Sequence, residues 1–135
     1  MGSKFKTVML IDDNEIDNLI NQKMIEASGI TENIYTHTGA KSAIEFLKNL
    51  EKVGAVSSEV LPDVIFLDID MPLMDGFQFM DEFVKLKDDT QNKCKVVILT
   101  SSINPQDMSK SKNYPSVKKY LNKPLTQSAL EGLTL

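Results

Sequence analysis

At 135 residues the chain has room for one domain. Folding at this size buries roughly 68% of the unfolded surface, enough for a core without disulfides or metal staples. Hydrophobic residues make up 41% of the chain and charged residues 25%, which excludes a disordered or fibrous chain. No apolar run is long enough to span a bilayer or to form a secretory leader. Nineteen acids against fifteen bases leave a formal charge of −4, which opposes binding of a nucleic-acid backbone as the main activity.

Taken in chain order, short apolar runs alternate with amphipathic stretches. Val8-Met9-Leu10-Ile11 is apolar throughout, the pattern of a parallel strand covered on both faces. After Asp13-Asn14, the residues Ile16, Leu19, Ile20, Met24 and Ala27 recur at helical spacing, and Gly29 stands where a helix C-cap belongs. Asn33-Ile34-Tyr35-Thr36 reads as a more exposed strand near a sheet edge. Ala40, Ala43, Ile44, Leu47 and Leu50 mark a second helix, and segment 51–62 reads as an extended connection. Val64-Ile65-Phe66-Leu67 is a second continuous apolar run, and Asp75-Gly76 precedes a third helix with Phe77, Met80 and Val84 on one stripe. Val96-Val97-Ile98-Leu99 is a third apolar run. Asn104-Pro105 opens a short polar fourth helix, a capping residue followed by proline. Val117-Lys118-Lys119-Tyr120-Leu121 reads as another edge strand, and Thr126 caps a fifth helix carrying Ala129, Leu130 and Leu133. Five strands alternating with five helices predict an α/β fold, a doubly wound five-stranded parallel sheet flanked by five helices. One domain is expected over 1–135, with its core at about 6–133 and no second domain.

In such a sheet, ligands bind beyond the carboxyl ends of the strands. Asp12 and Asp13 follow the first apolar run; Asp68, with Asp70 two residues on, follows the run at 64–67. Thr100, Ser101 and Ser102 follow the run at 96–99, and Lys123-Pro124 follows the last strand. Four strand ends thus deliver polar groups to one edge. Carboxylates gathered there repel and raise one another's pKa unless a cation sits among them, and an all-oxygen set suits Mg²⁺, which takes one or two carboxylates plus phosphate oxygens. Asp68, at the sheet centre, would then serve as a carboxylate nucleophile toward phosphorus. The transferring group needs its equatorial oxygens neutralised. The chain has no arginine, so Mg²⁺, the Lys123 ammonium and the Thr100 hydroxyl are the donors available besides backbone amides.

These residues carry a resemblance. Leu10-Ile11-Asp12-Asp13, the stretch from Pro62 to Gly76 around Phe66-Leu67-Asp68-Ile69-Asp70-Met71-Pro72, Ile98-Leu99-Thr100-Ser101 and Tyr120-Leu121-Asn122-Lys123-Pro124 resemble the response-regulator receiver domains of two-component signalling, which have a flavodoxin-like fold. The likeness runs from about Lys6 to about Leu133 and is strongest to stand-alone receivers of the chemotaxis and phytochrome-linked kinds. It implies that Asp68 is the phospho-acceptor, that Asp12 and Asp13 (one of them through water) hold Mg²⁺ together with Asp68, and that Asp70 offers the metal its backbone carbonyl. Lys123 would pair with the phosphoryl group, Thr100 would reorient toward it, and Tyr120 would be the switch aromatic that turns inward when the threonine moves. Ser101 would be the small residue that admits the phosphoryl group, Ser102 and Asp70 would tune its lifetime, and Lys123-Pro124 would be a cis bond. The implied donor is a histidine kinase or histidine phosphotransfer protein, and the implied output is contact with a downstream protein, with neither nucleic acid nor membrane. Family members often pair through the face made by the fourth helix, fifth strand and fifth helix, which offers a homodimer contact. A lone cysteine, Cys94, fits the cytoplasmic setting this implies.

Each element alone has a plainer reading. Asp12-Asp13 and Asp68 could be helix caps, Thr100-Ser101-Ser102 a loop, Lys123-Pro124 a turn and Tyr120 an edge-strand aromatic. His37 reads as a surface or edge histidine, Cys94 as incidental, and Met71 and Met74 as shaping access to Asp68. Two other functions compete with the switch. Asp68-Ile69-Asp70 with Thr100 and Lys123 mimics the motifs of haloacid-dehalogenase-like phosphatases, although there the Asp-x-Asp follows the first strand. A pseudo-receiver that docks partners without phosphorylation is the other, against which the full acidic set stands.

Overall fold

The computed structural model describes residues 4–53, 61–71, 74–101, 104–133 and 135. Met1-Gly2-Ser3, most of the 51–62 connection, Pro72-Leu73 and Ser102 lie outside the described residues. The elements run β1 (Phe5–Ile11), α1 (Glu15–Ser28), β2 (Thr31–His37), α2 (Ala40–Lys52), β3 (Val64–Asp68), α3 (Gly76–Phe83), α4 (Asp88–Lys93), β4 (Lys95–Thr100), α5 (Pro105–Ser111), β5 (Val117–Asn122) and α6 (Gln127–Glu131). All strand pairs are parallel, in the order β2-β1-β3-β4-β5. The three apolar runs become the central strands β1, β3 and β4, and the two weaker candidates become the edges. No helix among the described residues is long and apolar enough to cross a membrane.

Side chains alternate across the sheet and feed two cores. Met9, Ile11, Ile65, Leu67, Val96 and Ile98 face one way, onto Ala43, Ile44 and Leu47 of α2 and Phe79, Met80 and Phe83 of α3. Val8, Leu10, Val64, Phe66, Val97 and Leu99 face the other way, onto Ile25 of α1 and Leu130 of α6. Burial of both faces is why the stretches Val8–Ile11, Val64–Leu67 and Val96–Leu99 of these strands carry no polar residue. The strand order reverses direction between β1 and β3, which leaves a crevice beyond their carboxyl ends.

Three details depart from the sequence reading. A sixth helix, α4, forms over Asp88–Lys93, where no apolar period announces it. It is held by Glu51, whose carboxylate accepts from the Lys87 N–H and the Thr90 hydroxyl. Val84 is not part of the α3 stripe: the helix ends at Phe83, and Val84 is an exposed C-cap. On α1 the buried face is not the apolar stripe. Asn18, Asn21 and Ile25 point inward, while Ile16, Leu19 and Ile20 remain 69%, 55% and 44% exposed. Main-chain groups at the sheet's carboxyl edge take one end of each asparagine amide, while Asn18 Oδ1 and Asn21 Nδ2 are buried without a hydrogen-bond partner among the described residues. Asn18 Nδ2 donates to the carbonyls of Asp12 and His37, and Asn21 Oδ1 accepts from the Leu125 N–H.

Candidate functional site

The plainer readings of the acidic residues fail on who does the capping. Asn14, not Asp12 or Asp13, caps α1, its side chain accepting from the N–H groups of Ile16 and Asp17. Asp75, not Asp68, caps α3 in a reciprocal box with Gln78. The three carboxylates are therefore released from helix-end duty, and one oxygen from each of Asp12, Asp13 and Asp68 falls within 4.8 Å of the others. Asp12 and Asp68 are buried and Asp13 is exposed, so the cluster has a floor and an open mouth. Register explains the meeting: Ile11 lies beside Leu67, which brings the residues that follow β1 alongside the last residue of β3.

Lys123 reaches the same point from β5. Its backbone N–H donates to the Thr100 carbonyl at 2.7 Å, and the following Lys123–Pro124 bond is cis, as the resemblance implies. The ammonium lies 2.9 Å from Asp12 Oδ2, 3.0 Å from Asp17 Oδ2 and 3.6 Å from Asp68 Oδ1. Burial alone would pull its pKa down, but the hydrogen bonds to Asp12 and Asp17 and the charges of Asp12 and Asp68 outweigh burial and hold it above the usual lysine range. Asp68 behaves oppositely. Burial pushes its carboxyl up to about 6, Asp12 adds to the rise, and the Asp70 N–H and Lys123 oppose it. Such a carboxylate is ionised at neutral pH yet poorly solvated, a condition that favours nucleophilic use.

The remaining predicted residues surround this pair. Thr100, at the end of β4, is buried, and its hydroxyl donates to Asp70 Oδ2 at 3.3 Å. Asp70 is exposed, and its N–H donates to Asp68 Oδ1 at 3.1 Å. Ser101 is exposed and lines a cleft of about 210 Å³ with Asp17, Ile20, Asn21, Lys123 and Pro124. Tyr120 packs against the core that includes Ile98. Burial holds its hydroxyl above the usual range, the charges of Asp107 and Asp70 adding and the main chain of Asn104 opposing. Met71 and Met74 line a separate hollow with Asp13, Thr38, Gly39 and Ala40. Gly76 lets α3 start against the strand end: a Cβ there would stand 2.7 Å from Ile69 Cγ2 and 2.8 Å from Ile69 Cα.

Outside the site, His37 ends the edge strand, its ring beside Phe46 and Ser42, and burial lowers its pKa. Cys94 is buried, and burial pushes its thiol up to about 12, which leaves it inert at neutral pH. Sequence reasoning missed Asp17, Asn18 and Asn21. Their only signal was their place on the turns of α1 that follow Asp13.

The family model for the response regulator receiver domain matches residues 8–134. The chain belongs to the response-regulator receiver family. A solved two-component response regulator from Cytophaga hutchinsonii superposes on this receiver with a TM-score of 0.83 at 33% identity, covering 94% of this chain and 92% of that one. The sensor histidine kinase CheAY of Helicobacter pylori is 32% identical over 120 residues, 87% of this chain but 13% of that protein. The response regulator Rcp1 of Synechocystis is 28% identical over 103 residues, 76% of this chain and 67% of Rcp1. The fold is thus the flavodoxin-like one of response regulators, and the chain is a receiver domain of two-component signal transduction. Receiver domains accept phosphoryl groups from histidine kinases and bind Mg²⁺ at an acidic pocket. The cluster of Asp12, Asp13 and Asp68 fits that ion in charge, in its all-oxygen donor set and in its access through Asp13.

Proposed function

We propose that this receiver takes a phosphoryl group from a phosphohistidine donor onto Asp68 and so switches a protein-binding surface. The observation that carries the reading is a buried carboxylate, 1% exposed, at the end of the central strand and 3.6 Å from a lysine ammonium. An Asp68 carboxylate oxygen attacks phosphorus, a P–O bond forms, and the P–N bond of the donor breaks with its electron pair leaving on the imidazole nitrogen. Asp12, Asp13 and the Asp70 carbonyl would hold Mg²⁺, which when bound supplies positive charge to the transferring oxygens. Lys123 brings a second positive charge, and the Thr100 hydroxyl turns from Asp70 toward the new phosphoryl oxygen. Ser101, small and exposed, leaves the approach open.

Movement of Thr100 carries the switch outward. It lies one strand from Tyr120, and β4 and β5 pair there, Ile98 with Tyr120 and Thr100 with Asn122. A repositioned threonine changes the packing available to the tyrosine ring beside α5, and with it the surface of α5, β5 and α6 that a downstream protein would read. The same face, which carries Asp107 as well as Lys110, Lys118 and Lys119, would also be the contact of a homodimer, where a residue of one copy meets a different residue of the other. The donor side is different. Ile16, Leu19 and Ile20 form an exposed apolar strip on α1, and Ile20 borders the cleft with Lys123, so a donor seated there brings its phosphohistidine to Asp68.

Intact mass after incubation with acetyl phosphate tests the reading. It expects one added phosphoryl group that requires Mg²⁺ and disappears in Asp68→Asn. Steady consumption of the donor with many turnovers per chain would instead indicate a phosphatase. No adduct and no consumption would indicate a docking module.

A further inference from the structure

Lys123 makes one contact that the proposed reaction does not use. Of its three carboxylate neighbours, Asp12 and Asp68 belong to the acidic cluster, but Asp17 does not. Asp17 sits in the first turn of α1, 38% exposed at its side chain, and its Oδ2 lies 3.0 Å from the ammonium, closer than Asp68. Asn14 fixes it there by accepting the Asp17 N–H at 3.0 Å, and the helix N-terminus favours a negative charge at this position.

The geometry creates a conflict of charges. An ammonium lying between Asp12 and Asp68 occupies the ground that a divalent cation needs, and two cations sharing two carboxylates repel. Asp17 offers the ammonium a seat outside the cluster, on the α1 side of the cleft, without taking it out of reach of Asp68. We propose that Asp17 is a positioning residue that parks Lys123 away from Asp12 and Asp68 while the metal enters, and then competes with the phosphoryl group for the same ammonium. Asp17 therefore helps the resting protein to bind Mg²⁺ and weakens the phosphorylated state, so it sets the balance between the two. The inference rests on the proposed function, because it concerns the same metal and the same phosphoryl group.

Its test uses two binding constants with opposite expected signs, which damage to the fold alone would move together. Calorimetric titration gives the affinity of the full chain for Mg²⁺, and a second titration at saturating Mg²⁺ gives the affinity for beryllofluoride, a tetrahedral stand-in for the phosphoryl group. In Asp17→Asn the ammonium falls back on Asp12 and Asp68. Mg²⁺ binding should then weaken, and beryllofluoride binding should tighten, each by on the order of five-fold, the size expected of a partly exposed ion pair. Asp17→Glu keeps the carboxylate and should return both constants toward those of the unmodified chain. Unchanged constants in Asp17→Asn, or two shifts of the same sign, would overturn the assignment of Asp17. If the unmodified chain binds neither Mg²⁺ nor beryllofluoride, the fault lies with the proposed function instead.

Discussion

Replacing Asp68 with asparagine removes a buried charge while preserving its shape and the Oδ1 acceptor that takes the Asp70 N–H. Lys123 retains Asp12 and Asp17 as partners, so no cation is stranded. The Asp68 carboxyl lies at about 6 instead of 3.8, chiefly through burial. The folded chain therefore holds a proton that the unfolded chain releases between those values. The stabilisation from that proton is complete below 3.8 and is lost as pH rises through about 6. At neutral pH the fold carries an ionised carboxylate that it would shed. At about 1.36 kcal/mol per pH unit the shift corresponds to about 3 kcal/mol. The mouth at Asp13 admits solvent that screens part of it, leaving about 1.5 kcal/mol for the variant to recover. With an unfolding entropy of about 2.1 cal/mol/K per residue, that is a rise in Tm of about 5 °C for a chain of this length. Thermal melts followed by circular dichroism without divalent cations, at about pH 7.5 and about pH 4, give the comparison. Asp68→Asn should melt higher at the first pH and level with the unmodified chain at the second. No gain near neutrality, or an equal gain at both, would refute the reasoning.

Mg²⁺ should raise the Tm of the unmodified chain, by an amount equivalent to about 2.7 kcal/mol when the free ion is a hundred times its Kd. Asp13→Asn, at an exposed position, should keep its metal-free melting temperature and lose most of that rise. Gly76→Ala should cost about 1–3 kcal/mol in urea unfolding, because the added Cβ meets Ile69 Cα at 2.8 Å and main chain cannot swing aside.

How far the sequence could be read depended on whether a residue's role is local. The central strands were legible because Val8–Ile11, Val64–Leu67 and Val96–Leu99 are short runs apolar on both faces, the pattern of a doubly covered sheet, and they alternate with amphipathic stretches. Asp12, Asp13, Asp68, Thr100 and Lys123 were legible as a group because each directly follows a strand, and parallel strands align their ends. The face of α1 was not legible. Polar Asn18 and Asn21 bury themselves on main-chain groups of the 12, 37 and 125 positions, partners that no helical period reveals, while apolar Ile16, Leu19 and Ile20 stay outside. Helix α4 escaped for a similar reason, since its anchor is Glu51 at the end of another helix. Asp17 reads in sequence as an ordinary acid in a first helical turn. Its pairing with Lys123, far along the chain, exists only once α1 and β5 are folded together.

The central claim is that the phosphoryl group rides on the carboxylate of Asp68. Borohydride reduction of the chain after acetyl phosphate treatment tests this most directly, because an acyl phosphate is reduced to an alcohol and marks the residue that carried it. Peptide mass spectra should then show homoserine in place of Asp68, only in samples that contained Mg²⁺. A phosphoryl group that survives reduction on a serine, threonine or histidine, or reduction at another aspartate with Asp68 untouched, would contradict the account.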